Sequence, residues 1–118
     1  GALLKIRQNS SLKLQRFQYF SKTKDGKLNV KLLQSSNILF ISGEMKKKNI
    51  KFSSHIGTVG IRGSAFDSLC TRKTCTVLNI KGEICFKHHP TAKIICIKPS
   101  AMILANLSGI QVSQAPPN

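Results

Sequence analysis

Apolar and polar residues alternate with a period of two along most of this chain. Leu28, Val30 and Leu32, for example, are separated by Asn29 and Lys31. Such alternation is typical of β-strands with one buried face. No segment has helical spacing, and turn residues recur about every eight to twelve positions. The pattern predicts an all-β fold without significant helix, either an antiparallel β-sandwich or a short β-roll built from hairpins.

The same pattern places the individual elements. Strands are predicted over residues 2–7 and 11–20, and Asp25-Gly26 predicts the hairpin turn that follows. The last apolar strand is predicted over 101–107, and Gln114 to Asn118 has the composition of a tail or linker. A length of 118 residues supports one domain. We therefore expect a β domain over residues 2–112 and a tail over 113–118.

Three glycines punctuate residues 53–66, at Gly57, Gly60 and Gly63. Glycine in a strand indicates a bend, a bulge or close approach of another strand. Arg62 lies between two of them, and we expect it to pair with Asp67 or Glu83 or to bond backbone carbonyls. Contact of Arg62 with a partner remains an alternative. A phosphate loop is excluded, because no Gly-Lys-Ser/Thr ending and no helix-forming run follow.

The four cysteines fall in two hairpins. A turn centred on Arg72-Lys73 places Cys70 opposite Cys75, and one centred on Pro90-Thr91 places Cys85 opposite Cys96. Both pairs are therefore disulfide candidates, although four cysteines allow three pairings and free buried thiols remain an alternative. A cross-strand disulfide requires a non-hydrogen-bonded pair, and the sequence does not say which kind these are.

Two kinds of chemical site receive little support. A zinc site would use Cys85, Cys96, His88 and His89, but the compact Cys-x-x-Cys knuckle is missing, and the histidines read equally as turn residues in solvent. Hydrolysis needs two carboxylates or a histidine with an orienting acid, and no segment brings such residues together. A cysteine nucleophile beside His55 or His88 is the remaining catalytic alternative. We predict no catalytic, metal or cofactor site.

The net charge of +15 predicts attraction to polyanions. The lysines are spread over nearly every strand and turn, and Lys46-Lys47-Lys48 is the only run. That run is a candidate basic contact, or else a solvated turn that protects a strand edge. Aromatic residues amount to only 6%, whereas proteins that stack nucleic-acid bases usually interleave aromatics with basic residues. No apolar run approaches the about 20 residues of a transmembrane helix.

Residues 56–64, Ile-Gly-Thr-Val-Gly-Ile-Arg-Gly-Ser, resemble the ATIGIRGT signature of FecR-type extracytoplasmic β domains. Three other segments fit the same family. Residues 39–45 match its apolar strand ending in Thr-Gly, 77–84 match its VLDGEV segment, and 3–19 match its opening segment. The likeness spans about residues 2–112. It departs from the family at Ser53, His55 and Ser64, and in its cysteines.

The resemblance implies structural roles for Gly57, Gly60, Arg62, Gly63 and Gly82. It also implies a location in the bacterial periplasm or otherwise outside the cytoplasm, where thiols are oxidised. In the regulators that give the family its name, such domains relay the state of an outer-membrane transporter to a sigma factor.

We therefore expect a non-catalytic binding or sensing module with a protein partner in the bacterial envelope. The alternative is binding of nucleic acid or an acidic glycan through the basic surface. Monomer and dimer both remain open, because strand edges can pair between copies.

Overall fold

The computed structural model describes residues 3–20, 25–33, 35–41, 50–61 and 65–114. These residues form twelve strands, as the alternation predicts. The strands are β1 Leu3–Ile6, β2 Leu12–Phe20, β3 Asp25–Leu32, β4 Ser35–Ile41, β5 Ile50–Ser53, β6 Gly57–Ile61, β7 Ala65–Thr71, β8 Thr74–Lys81, β9 Ile84–His88, β10 Ile94–Ile97, β11 Ala101–Asn106 and β12 Ile110–Gln114. Within that part of the chain, no helix is long and apolar enough to cross a membrane.

The described strands form two six-stranded sheets that pack face to face. The order is β1-β4-β7-β8-β11-β12 in sheet A and β10-β9-β6-β5-β3-β2 in sheet B. Five pairs of consecutive strands are antiparallel hairpins: β2–β3, β5–β6, β7–β8, β9–β10 and β11–β12. Between these hairpins the chain crosses from one sheet to the other. The predicted all-β sandwich built from hairpins is confirmed.

Three details differ from the sequence-based prediction. Strands β3 and β5 pair in parallel, because β4 crosses to sheet A between them. Asp25 and Gly26 pair with Phe20 and Tyr19 inside the β2–β3 ladder instead of forming its turn. A further strand, β12, follows the predicted last strand and includes residues 113 and 114.

Three phenylalanines join the two sheets at the centre of the core. Phe40 and Phe66 belong to sheet A, and Phe52 belongs to sheet B. The Phe52 ring centroid lies 5.1 Å from that of Phe40 and 5.1 Å from that of Phe66. All three side chains are at most 1% exposed. Tilted and edge-to-face aromatic contacts of this kind add to the free energy gained from burial.

Asn79 links the sheets at the crossover from β8 to β9. Its Nδ2 donates hydrogen bonds to the carbonyls of Gly82, at 2.7 Å, and Ile97, at 2.9 Å. Gly82 has a φ of 84°, in the left-handed region that only glycine adopts without strain. Glycine at position 82, for which the family resemblance implies a structural role, therefore fits the backbone conformation found there.

Gly57 is a point of close approach between β6 and β9. A Cβ atom built there would lie 2.5 Å from the Lys87 carbonyl oxygen and 2.6 Å from Cε2 of Phe86. Phe86 is fully buried and cannot move aside. A Cβ at Gly60 would meet only the Cys85 carbonyl oxygen, at 3.8 Å, which is an ordinary contact. The two glycines of the motif thus have different roles.

We expect Gly57→Ala to lower the free energy of unfolding by about 1–3 kcal/mol, because the added methyl group overpacks the core. Gly60→Ala is the matched control and should change stability by less than about 0.5 kcal/mol. Urea denaturation under oxidising conditions measures both values. Equal stability of the two variants would contradict the close approach at Gly57.

Candidate interaction surfaces

The segment that precedes the glycine motif is a tight turn held by one serine. The Oγ of Ser54 accepts hydrogen bonds from the amides of Ile56 and Gly57 and donates one to the Gly57 carbonyl. The Ile56 carbonyl in turn accepts a bond from the amide of His89. The same Oγ lies 3.2 Å from the Sγ of Cys75, which belongs to sheet A. These contacts give the turn a structural role between the sheets.

Both predicted cysteine pairs form disulfides, Cys70–Cys75 and Cys85–Cys96. Their Cα atoms lie 4.1 Å and 3.9 Å apart, close to the separation of a non-hydrogen-bonded antiparallel pair. Chain entropy predicts stabilisation by about 2 and 3 kcal/mol for such short loops. The two bonds differ in exposure. Cys70 and Cys75 are each 1% exposed, whereas Cys96 lies at the surface and Cys85 is half-buried.

The environment of the histidines differs from the solvent turn that the sequence suggested. His88 is completely buried. Its Nε2 lies 2.6 Å from the Asn106 carbonyl oxygen and donates to it, while its Nδ1 lies 2.7 Å from Thr91 Oγ1. His89 is exposed, as expected for a turn residue. His88 is buried because it shares the core-facing parity of Ile84 and Phe86 on β9.

The zinc alternative lacks its thiolates. Within the described residues, one group of potential ligands comes together, Glu83, Cys85 and Cys96, with ligand atoms within 4.8 Å of one another. The two sulfurs are bonded to each other, so neither is available as a thiolate. Cys70 and Cys75 are bonded to each other in the same way, so all four sulfurs lie in disulfides.

Arg7 is an interaction residue that the sequence analysis missed. Its NH1 and NH2 donate to the two carboxylate oxygens of Asp67 at 2.7 Å and 2.8 Å, and NH1 also donates to Asn37 Oδ1 at 2.7 Å. The hydrogen bonds that Arg7 donates to Asp67 raise the pKa of Arg7. Asp67 was predicted as a partner of Arg62, but its two oxygens are held by Arg7. Arg62 and Gly63 lie outside the described residues.

The outer surface of sheet A contains a group of apolar side chains among polar ones. We call Leu39, Leu69, Leu78, Met102 and Leu104 the apolar face. Strand pairing aligns Leu39, Asp67, Leu78 and Met102 in one row across four strands. The next row contains Leu69, Thr76 and Leu104. Leu69 is 47% and Leu104 37% exposed, and the Arg7–Asp67 pair lies among these side chains with no net charge.

The outer surface of sheet B has the opposite character. We call Lys31, Lys51 and Lys87 the basic face, and all three are exposed. Pairing aligns Lys87, Thr58, Ser53 and Lys31 in one row. The neighbouring row contains Cys85, Gly60, Lys51 and Asn29. In the part of the chain that the structure describes, the ion pair found is Arg7–Asp67 in sheet A, so these lysines have no carboxylate partner there.

Four further residues that the sequence singled out cannot be placed on either face. The run Lys46-Lys47-Lys48 lies outside the described residues, as does Ser64 of the glycine motif. Gly57 and Gly60 lie on β6 in the middle of sheet B, one facing the core and one facing outwards. These two glycines of the predicted motif therefore support the sheet.

Two solved structures share this fold. Both are crystal structures of a candidate anti-sigma factor from Parabacteroides distasonis. The first superposes with a TM-score of 0.62 at 11% sequence identity and covers 97% of this chain. The second superposes with a TM-score of 0.61 at 12% identity and covers 96%. This chain spans 60% and 56% of their lengths, and at this identity the likeness concerns the fold alone.

The other comparisons found no relative. No protein-family model matches this chain. No curated protein matches it in sequence.

Sequence analysis missed the roles of Asn79, His88 and Arg7. The hydrophobic alternation contained a signal for the first two and none for Arg7. Asn79 continues the core-facing parity of Cys75 and Val77, and this position could have been read from the alternation. His88 could have been found in the same way on β9. Arg7 had no such signal, because it is one of nineteen basic residues and its partner lies sixty positions away.

We expect the two disulfides to respond differently to reductant. In denaturant without reductant, no cysteine should react with an alkylating reagent, because all four are paired. When the native protein meets mild dithiothreitol, Cys85 and Cys96 should be alkylated before Cys70 and Cys75, because the attacking thiolate must reach a sulfur atom. Peptide mass spectrometry measures the order. Four free thiols at the start, or first labelling at Cys70 and Cys75, would contradict the structure.

Proposed function

We propose that this chain is a non-catalytic, extracytoplasmic binding module that docks a protein partner through the apolar face of sheet A. The observation that carries the proposal is the exposure of Leu69 and Leu104 beside half-buried Leu39, Leu78 and Met102, in a chain of net charge +15. Large exposed apolar patches are rare on isolated proteins and commonly mark binding sites.

The composition of this face fits the centre of a protein interface. Interface centres are depleted of lysine and enriched in methionine and arginine, with a polar rim. Here Met102 and the neutralised Arg7 lie among leucines, while exposed Lys5 and Gln111 continue the two rows at their edges. A partner can cover such a surface without burying an unpaired charge.

Two observations support a location outside the cytoplasm and a role in signalling. Paired disulfides are typical of oxidising compartments and rare in the cytosol. The fold is shared with a candidate anti-sigma factor, and the sequence resembles FecR-type domains. We therefore propose that partner binding contributes to signal relay across the envelope.

The absence of catalysis is part of the same proposal. It is supported by the chemistry of the polar groups: the cysteines are paired, Asp67 is bound by Arg7, and His88 is held by Asn106 and Thr91. Each of these groups is already engaged within the fold.

A substitution pair separates the apolar face from general surface effects. Leu104→Glu places a charge in the apolar face, whereas Ile94→Glu makes the same chemical change on the far side of the molecule, where Ile94 is 64% exposed. Both should fold, because neither side chain is in the core. We expect Leu104→Glu to abolish partner binding and signalling, and Ile94→Glu to leave both unchanged.

The measurement uses the natural full-length protein in its own cells. A photo-crosslinking residue at position 104 should give one discrete protein adduct, and Leu69→Glu in the same molecule should remove it. The same photo-crosslinking residue at position 94 should give no protein adduct. In a strain that lacks this gene, expression of the wild type or of Ile94→Glu should restore the transcript profile. Expression of Leu104→Glu should not restore it. Full restoration by Leu104→Glu, or the same adduct from position 94, would overturn the proposal.

A further inference from the structure

The apolar face lies on only one side of the sandwich, the outer surface of sheet A. The outer surface of sheet B contains the basic face, Lys31, Lys51 and Lys87, and is separated from the apolar face by the core. We propose that the basic face binds an acidic polysaccharide, meaning a glycan that carries sulfate, phosphate or carboxylate groups. This inference does not depend on the protein partner proposed for the apolar face.

The spacing of the lysines suits a chain-like polyanion. Lys87 and Lys31 lie in one register row, three strand spacings or roughly 14 Å apart. Lys51 lies two residues along β5 from Ser53, which is in that row. The three charges therefore lie on one outer surface, so one extended polymer can reach all of them.

A cleft whose lining includes hydroxyl and imidazole groups opens beside Lys31. It has a volume of about 400 Å³ and is lined by Lys31, Leu32, Ser53, Ser54, His55 and His89. The Nε2 of His89 is 2.9 Å from Thr58 Oγ1, and that hydroxyl is 3.3 Å from Ser53 Oγ. Hydroxyl and imidazole groups can bond both sugar hydroxyls and anionic oxygens. The cleft thus adds directional contacts to the attraction of the lysines.

Nucleic acid and membrane fit this face less well. Single-stranded nucleic acid is gripped by aromatic side chains that stack on bases, and none occurs among the face's described residues: the three lysines, Ser53, Thr58 and the cleft lining. A membrane-binding surface needs a band of exposed apolar side chains. Among the described side chains of this face, Ile94 beside Lys87 is the exposed apolar one. Charge complementarity without stacking or insertion favours an acidic glycan.

The test compares two triple variants with the same charge. Lys31→Glu, Lys51→Glu and Lys87→Glu change the basic face. Lys5→Glu, Lys73→Glu and Lys81→Glu change three exposed lysines of sheet A and its β7–β8 turn. Each triple lowers the net charge by six, from +15 to +9. Circular dichroism checks folding, and the corresponding glutamine triples replace any glutamate triple that does not fold.

Heparin is the probe, with dextran as the uncharged control, and calorimetry measures affinity. If each of the three basic-face lysines releases one counterion when heparin binds, the affinity of the wild type for heparin should fall roughly 20- to 40-fold between 50 and 200 mM salt. The basic-face triple should lower affinity about tenfold or more and reduce the salt slope by about two to three. The sheet A triple should lower affinity less than about threefold, through net charge alone. Dextran should not bind.

Three results would overturn the inference. Equal loss of heparin affinity in the two triples would show a diffuse charge effect without a site. Tighter binding of duplex DNA than of heparin at the same salt would show a nucleic-acid surface, and tighter binding of anionic phospholipid vesicles would show a membrane surface. Leu104→Glu should leave heparin binding unchanged, so failure of the protein-partner proposal is distinguishable from failure of this one.

Discussion

The contact of Phe52 with Phe40 and Phe66 holds this protein together, because it is where the two sheets meet. A single sheet of short strands would leave one apolar side in water, and packing a second sheet against it removes that surface. Gly57 permits the adjacent Phe86 ring to lie flat against β6. Asn79 joins the sheets at one end through two backbone carbonyls. The sandwich depends on these few points of contact.

Because one side of every strand faces the core, the opposite side is the one that can contact other molecules. The two outer surfaces have become chemically different. On sheet A the charge of Arg7 is cancelled by Asp67 among leucines. On sheet B the exposed lysines have hydroxyl and amide neighbours, and no ion pair with them is found in the described part of the chain. One domain can therefore present an apolar surface and a cationic surface without mutual interference.

The residues that stand out in the sequence serve mainly to support these surfaces. The turn at Ser54 fixes the start of β6, and the disulfides clamp two hairpins across neighbouring strands. Rigid strands with short clamped turns lose little conformational entropy when a partner binds, which favours affinity. The likeness to a candidate anti-sigma factor is a likeness of this scaffold, at 11% identity.

The sequence by itself determined the all-β class and the hairpins, and it made Cys70–Cys75 and Cys85–Cys96 disulfide candidates, because alternation and turn position are local properties. It also contained the core-facing parity of Asn79 and His88. Only the tertiary structure decided which strands share a sheet, why β3 and β5 run parallel, and that Arg7 reaches Asp67. Those outcomes join residues far apart in the chain. Such contacts depend on how hairpins are distributed between two layers, which no local pattern encodes.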